Sequence, residues 1–238
     1  MPSLPITSTH PASHAAVVQI KRERRKEARP GELLAAALDL FVEKGYAGTR
    51  SEEVARRAGV SKGTLFLYFP SKEELFKAVV RDSIAGHFPE WNAELEAFTG
   101  STAEMLRQFM TLWWARVGAT KASGITKLMM SEANNFPELA AFYQQEVMAP
   151  GQALIRRILQ RGVDRGEFRP MNIQYGVYTV LAPMIFLLTR KHAMGCCAGG
   201  LDELVPELYL ATQVETLLHG LCCTPTRATP SLKKAKST

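Results

Sequence analysis

No stretch of this chain is long and apolar enough to cross a bilayer. The longest apolar run, Val177–Leu188, carries Pro183 and falls short of the roughly 20 residues a spanning helix needs. A buried core helix accounts for it better. The opening residues are Pro, Ser, Thr and His, where a secretory leader has a basic start and an apolar block, so the chain is expected in the cytoplasm. Cysteine is scarce, with four residues in two adjacent pairs, Cys196–Cys197 and Cys222–Cys223. Neighbouring cysteines rarely bridge and there is no CxxC spacing for zinc, so free thiols are expected. The five histidines, His10, His14, His87, His192 and His219, form no HExxH pattern or nucleophile–base constellation. No glycine loop is suited to cradling phosphate. These absences argue against an enzyme and imply no metal or cofactor. Alternating strand patterns and internal repeats are missing too, which leaves an all-α fold.

The chain has a net charge of +6, very unevenly placed. Residues 21–29 (KRERRKEAR) carry +4, and the tail adds another +4 through Arg227, Lys233, Lys234 and Lys236. Subtracting both leaves the body, 30–220, at −2. Basic extensions on a near-neutral body suit a polyanion, although a solubilising tail would look the same at the C-terminus. The composition divides the chain into a disordered basic extension (1–27), a compact helical module (28–87), a larger helical domain (88–223) and a disordered basic tail (224–238).

Helical periodicity begins after Pro30, with Leu33, Leu34, Ala37, Leu38, Phe41 and Val42 on one face. Gly45 is expected to stop that helix. Thr49-Arg50-Ser51-Glu52 reads as a capping box opening a second helix, which Gly59 ends. Ser61 caps a third, very short helix, and Phe69-Pro70 closes it. Ser71 to Glu74 reads as a second capping box. Further on, helices are expected over 101–118, 122–135, 137–165 (kinked or split at Pro150-Gly151), 172–193 and 202–220.

A helix, a tight Ala-Gly-Val turn and a Ser-capped short helix is the layout of a helix-turn-helix. Gly59 supplies the positive φ of the turn, and Val60 and Leu65 form the apolar plug beneath it. The third helix begins Ser61-Lys62-Gly63-Thr64. Gly63 takes away bulk that would hold the backbone off a duplex, and Lys62 and Thr64 can reach bases or phosphate. Tyr68 and Lys72 follow on the exposed side. Without DNA, the same four polar residues would simply be solvated surface. Of Arg56 and Arg57, one should face solvent and the other pair with Glu52 or Glu53.

The run Ala55 to Leu75 (ARRAGVSKGTLFLYFPSKEEL) closely resembles the DNA-binding signature of the TetR/AcrR transcriptional regulators, and Leu40-Phe41 and Gly45-Tyr46 match upstream. The resemblance covers about residues 28–87. It implies a three-helix helix-turn-helix domain followed by a larger helical ligand-binding and dimerisation domain. Position by position, it implies groove-reading residues at Ser61, Lys62, Gly63, Thr64 and Leu65, and phosphate contacts at Arg50, Phe66, Tyr68 and Lys72. Phe66 stands where the family commonly has tyrosine, and Ser51 where an apolar residue is common. The function implied is a repressor that binds a palindromic double-stranded operator as a homodimer and is released by a small apolar or amphipathic effector. An activator of the same fold, or a nonspecific architectural DNA binder, remains open.

The larger domain is rich in aromatic residues and methionine. Phe109, Met110, Trp113, Trp114, Met129, Phe136, Tyr143 and Tyr178, with Arg116 and Glu132 as polar groups, are the candidate effector pocket, or else simply core. Leu128–Met148 resembles the second domain of an AefR-like subset of these regulators. The helices over 172–193 and 202–220 carry apolar faces too broad for one partner, which a homodimer interface would cover.

Overall fold

The computed structural model describes residues 12–194 and 204–221, so the four cysteines and residues 224–238 lie outside it. No strand occurs among the described residues, and none of their helices is long and apolar enough to cross a membrane. The helices are α1 (Ala12–Gly48), α2 (Ser51–Arg57), α3 (Lys62–Tyr68), α4 (Lys72–Ser83), α5 (Phe88–Ala97), α6 (Thr102–Trp113), α7 (Ser123–Glu132), α8 (Pro137–Tyr143), α9 (Ala149–Asp164), α10 (Ile173–Thr189) and α11 (Pro206–Leu221). A short 3₁₀ turn, Ala85–His87, follows α4, and π turns follow α6 (Trp114–Gly118), α8 (Gln144–Met148) and α10 (Arg190–Met194).

The expectations are corrected at three places, and the split expected at Pro150 is found. Residues 12–27, expected to be disordered, continue α1 in helical backbone, with Pro30 inside that helix rather than at its start. Thr49 caps nothing: α2 starts at Ser51 with Arg50 in the cap position, and the buried Thr49 hydroxyl donates to the Gly45 and Leu40 carbonyls at 2.7 and 3.1 Å. Helix α5 had no counterpart in the periodicity. At Pro150 the split is made by the π turn ahead of α9, whose first turn takes the proline where its missing N–H costs nothing.

The chain folds into two compact units, and their boundary does not follow the division at 87/88. The first contains residues up to His87 together with Lys121–Glu146. Its core joins Leu33, Leu40 and Phe41 of α1 to Leu75, Phe76, Val79 and Val80 of α4, all essentially inaccessible. Helix α7 crosses α1 so closely that a Cβ at Gly124 would lie 2.7 Å from Val42 Cγ1. Tyr46 joins the layers: its ring stands edge-on to Phe76 (5.4 Å) and Phe136 (4.7 Å). These contacts are why 121–146 packs with the N-terminal residues. The second unit comprises Phe88–Thr120 and the chain from Val147 onward. Its core draws on α6, α9, α10 and α11, with Leu106, Met110, Ile158, Leu159, Val180 and Val214 among its members. Helix α6 opens with a full capping box between Ser101 and Glu104.

Within the first unit the hydroxyls of Thr126 and Tyr143 share a buried hydrogen bond of 2.8 Å. Burial pushes the Tyr143 phenol up to about 12, with the Thr126 bond acting weakly the other way. In the unfolded chain this phenol ionises near 10. Its contribution to stability is therefore complete below pH 10 and is lost as the pH rises toward 12. We expect the unfolding free energy of the wild type to fall across that window more steeply than that of Tyr143→Phe, by about 1.4 kcal/mol per pH unit at most. Urea titrations at several pH values measure both slopes, and parallel slopes would contradict the assignment.

Candidate nucleic-acid interface

Helix α2 ends because Gly59 takes a φ of 67°, which lets two backbone bonds close the turn. Val60 N–H donates to the Ala55 carbonyl at 2.9 Å and Gly59 N–H to the Arg56 carbonyl at 3.1 Å, the paired pattern of a Schellman cap. The chain then enters α3 through Ser61, whose hydroxyl accepts from Thr64 N–H at 3.1 Å. Leu65 is the anchor. Fully buried, it pins α3 to the unit and leaves the opposite face in solvent. Leu65 is therefore corrected from groove reader to anchor, since a side chain with no exposed surface touches no base.

Ser61, Lys62 and Gly63 are exposed at the leading edge of α3, Thr64, Phe66 and Tyr68 are half-buried along it, and Arg50 is exposed at the start of α2. The Lys62 ammonium forms an ion pair with Glu52 and sits 5.7 Å from the Phe66 ring centroid. Hydrogen bonding to Lys62 holds the Glu52 carboxyl below its usual range. Arg57 makes a two-pronged bond to Glu43 at 2.8 and 2.9 Å rather than to Glu52 or Glu53. The Arg56 side chain is 80% exposed, with Glu53 only at 4.0 Å.

Gly63 has no explanation inside the fold. It does not have a positive φ, and an added Cβ would meet nothing closer than Ser61 Oγ at 3.8 Å. Its backbone and its surroundings within the unit would both accept alanine.

Lys72 departs from the expected phosphate contact. Its ammonium donates to the Tyr46 and Thr49 carbonyls at 2.9 and 3.2 Å and lies 4.4 Å from the Tyr46 ring centroid. Burial lowers its pKa, partly offset by the nearby Glu132 carboxylate. That ammonium is occupied in holding the α1–α2 turn. Sequence reasoning also passed over Leu67, whose side chain is 85% exposed on α3. The signal was present: two residues from the buried Leu65, it falls on the opposite face of the helix.

The ten candidate pocket residues are divided between the two units. Met129, Glu132, Phe136 and Tyr143 belong to the first unit, where Met129 and Tyr143 are core and Glu132 accepts from Tyr46 N–H (3.0 Å) and Ala47 N–H (3.2 Å). The other six belong to the second unit. There Arg116 is clamped to Glu94 at 2.7 and 2.8 Å, Tyr178 is exposed, and Phe109 and Trp113 pack against the core. Of the ten, Met110 and Trp114 line a cleft of about 200 Å³ between α6 and α11. Leu210 and Val214 complete its apolar wall. At its rim Trp114 Nε1 donates to Glu207 at 2.8 Å and Arg107 bonds Glu215 at 2.6 and 3.2 Å. Spacing along the sequence could not separate residues that fold into different units.

Comparison with known proteins divides the chain along its sequence rather than by these packing units. The family model described as bacterial regulatory proteins, tetR family, matches residues 33–79, and that of a tetracyclin repressor-like C-terminal domain matches residues 97–195. The HTH-type transcriptional regulator RutR of Escherichia coli K12 is 31% identical over 57% of the chain. That alignment spans only 55% of RutR, so the match takes in about half of this relative's length. The HTH-type transcriptional repressor KstR2 of Mycolicibacterium smegmatis is 29% identical over 77% of the chain and 87% of its own. In fold, the chain resembles the transcriptional regulator FadR of Bacillus subtilis, solved in complex with stearoyl-CoA. The TM-score is 0.65 at 18% identity, covering 79% of this chain and 97% of that one.

The Gly63→Ala variant should separate folding from binding. Its stability is expected to rise by about 0.5–1 kcal/mol, the usual gain from removing a helical glycine. Affinity for duplex DNA is expected to fall roughly tenfold or more, the worth of one good groove contact. Thermal melts and binding isotherms on the same preparation test both, and unaltered DNA affinity would show that the glycine faces something else.

Proposed function

The chain belongs to the tetR family of bacterial regulatory proteins, a transcriptional regulator by its domains and its relatives, and from that premise we propose that it is a ligand-responsive repressor binding a palindromic operator as a homodimer. The observation that carries the reading is the exposed edge Ser61-Lys62-Gly63-Thr64, held out by the buried Leu65. Residues 28–87 are the DNA-binding module in this proposal. Arg50, Ser61, Lys62, Gly63, Thr64, Phe66 and Tyr68 form its contact surface, with Lys62 exchanging Glu52 for a phosphate or base edge. Lys72 acts indirectly, by holding the turn. The protein works in the cytoplasm, where its DNA is.

A homodimer is supported by the exposed apolar strip on α10 and α11. Tyr175, Tyr178 and Phe186 lie on α10 and Leu208 on α11, all with large solvent-exposed surfaces. Burying such a strip against its twin is the usual solution for symmetric oligomers. Two reading helices brought together this way select a two-fold-related site.

The effector reading is supported by the cleft between α6 and α11. Its apolar wall and ion-paired rim suit a slender amphipathic molecule, and one solved neighbour carries a fatty acyl thioester. Release requires only that the effector bind the DNA-free state more tightly than the operator-bound one. Repression rather than activation is supported by the name of the KstR2 relative.

Footprinting on genomic fragments enriched by the protein is expected to reveal protection confined to one palindrome. For Lys62→Ala, the slope of log K against log salt should shrink by about one, as for the loss of a single phosphate contact. Uniform protection along the fragments would favour an architectural role, and an unchanged slope would remove Lys62 from the contact set.

A further inference from the structure

We propose that Leu67 reads a base: its side chain packs on the 5-methyl group of a thymine in the major groove and so sets one position in each operator half-site. The inference rests on the DNA-reading role of α3 proposed above and goes beyond it by naming the base.

Among the described residues no other large apolar side chain is as exposed as Leu67, at 85%. The next, Tyr175 and Leu208, lie on the α10 and α11 strip that a second copy would cover. Leu67 lies far from both along the chain, on the seven-residue helix that carries the reading edge. It stands four residues after Gly63 and three after Thr64, so the three share one strip of helix surface. Helical side chains lean toward the N-terminus of their helix, which carries Leu67 over the turn containing Gly63. There is no side chain at Gly63, and the nearest atom to a Cβ placed there is Ser61 Oγ at 3.8 Å. Leu67 and the bare backbone at Gly63 thus lie one turn apart on the same strip of α3, with no Leu67 atom within 4 Å of that Cβ position.

Leucine neither donates nor accepts a hydrogen bond. In the major groove the edges of guanine, cytosine and adenine present donors and acceptors at that depth, and only thymine adds an apolar group. Pressing leucine against a polar edge strips water from it without replacement, which is unfavourable. Pressing it against the thymine methyl removes apolar surface from water on both sides. The polar neighbours Lys62, Thr64 and Tyr68 are left to the hydrogen-bonding positions alongside.

The test uses the full-length protein and a duplex containing the site it selects from a random-sequence pool. Each thymine is replaced in turn by deoxyuridine, which removes the methyl group and nothing else. The wild type is expected to lose about fourfold in affinity at one position per half-site, the worth of burying one methylene-sized group. Leu67→Ala is expected to bind the thymine and deoxyuridine duplexes equally. Its melting temperature should match that of the wild type, since the side chain has almost no contacts to lose. A wild type indifferent to every replacement, or a Leu67→Ala variant that keeps the full sensitivity, would overturn the assignment while leaving operator binding intact. Failure to enrich any sequence would instead overturn the DNA-reading role of α3, and this proposal with it.

Discussion

Non-helical backbone at Gly45 breaks α1 near its end, and the turn from there to α2 leaves backbone groups that neither helix can satisfy; the first unit is organised around supplying their partners. Glu132 of α7 accepts from the N–H groups of Tyr46 and Ala47. Lys72 of α4 donates to the carbonyls of Tyr46 and Thr49, and the Thr49 hydroxyl serves those of Leu40 and Gly45. Each of these groups, if buried without a partner, would cost about 1–3 kcal/mol. One carboxylate and one ammonium from two different helices therefore fix a single five-residue turn. The Tyr46 ring extends the same junction into the core, packing against Phe41, Phe76 and Phe136. Through this turn the direction of α2 is set, and with it the outward face of α3.

What could be read from residues alone was whatever depends on local chemistry. The 3.6-residue period located nearly every helix, Gly59 marked the sharp turn, and Ser61 and Ser71 were identified as caps because a hydroxyl three residues ahead of a free N–H is a local arrangement. What escaped depends on partners distant in sequence. Thr49 looks like a cap until the neighbouring carbonyls claim its hydroxyl. Lys72 looks like a surface cation until the turn folds beneath it. Glu132 looked like a polar group beside a pocket, whereas its partners lie more than eighty residues upstream. The candidate pocket residues are divided for the same reason, since Met129 and Trp114 lie close in sequence but belong to separate units. Helix α5 was missed because its polar and apolar residues alternate without a clear stripe.

The charges around α3 are arranged to exchange partners cheaply. Arg57 is tied to Glu43 and Lys44 to Glu53, while Lys62 shares Glu52 at the rim of the reading edge. Exposed pairs of this kind contribute little to stability, so giving one up to a polyanion costs little. The net positive charge lies elsewhere: residues 30–220 sum to −2, and the excess of basic residues is concentrated in the two extensions of the sequence.

Gly45 has a φ of 76°, and a Cβ at that position would run into the Glu132 carboxylate. The position is closed to other residues twice over, by its backbone and by a side chain from α7. The two residues are therefore coupled in space, although a long stretch of chain separates them. Anyone transplanting this reading head onto a foreign regulator would find that a cut after His87 leaves the turn without its acceptor. The smallest exchangeable piece is discontinuous, because residues up to His87 do not contain every partner their turn uses.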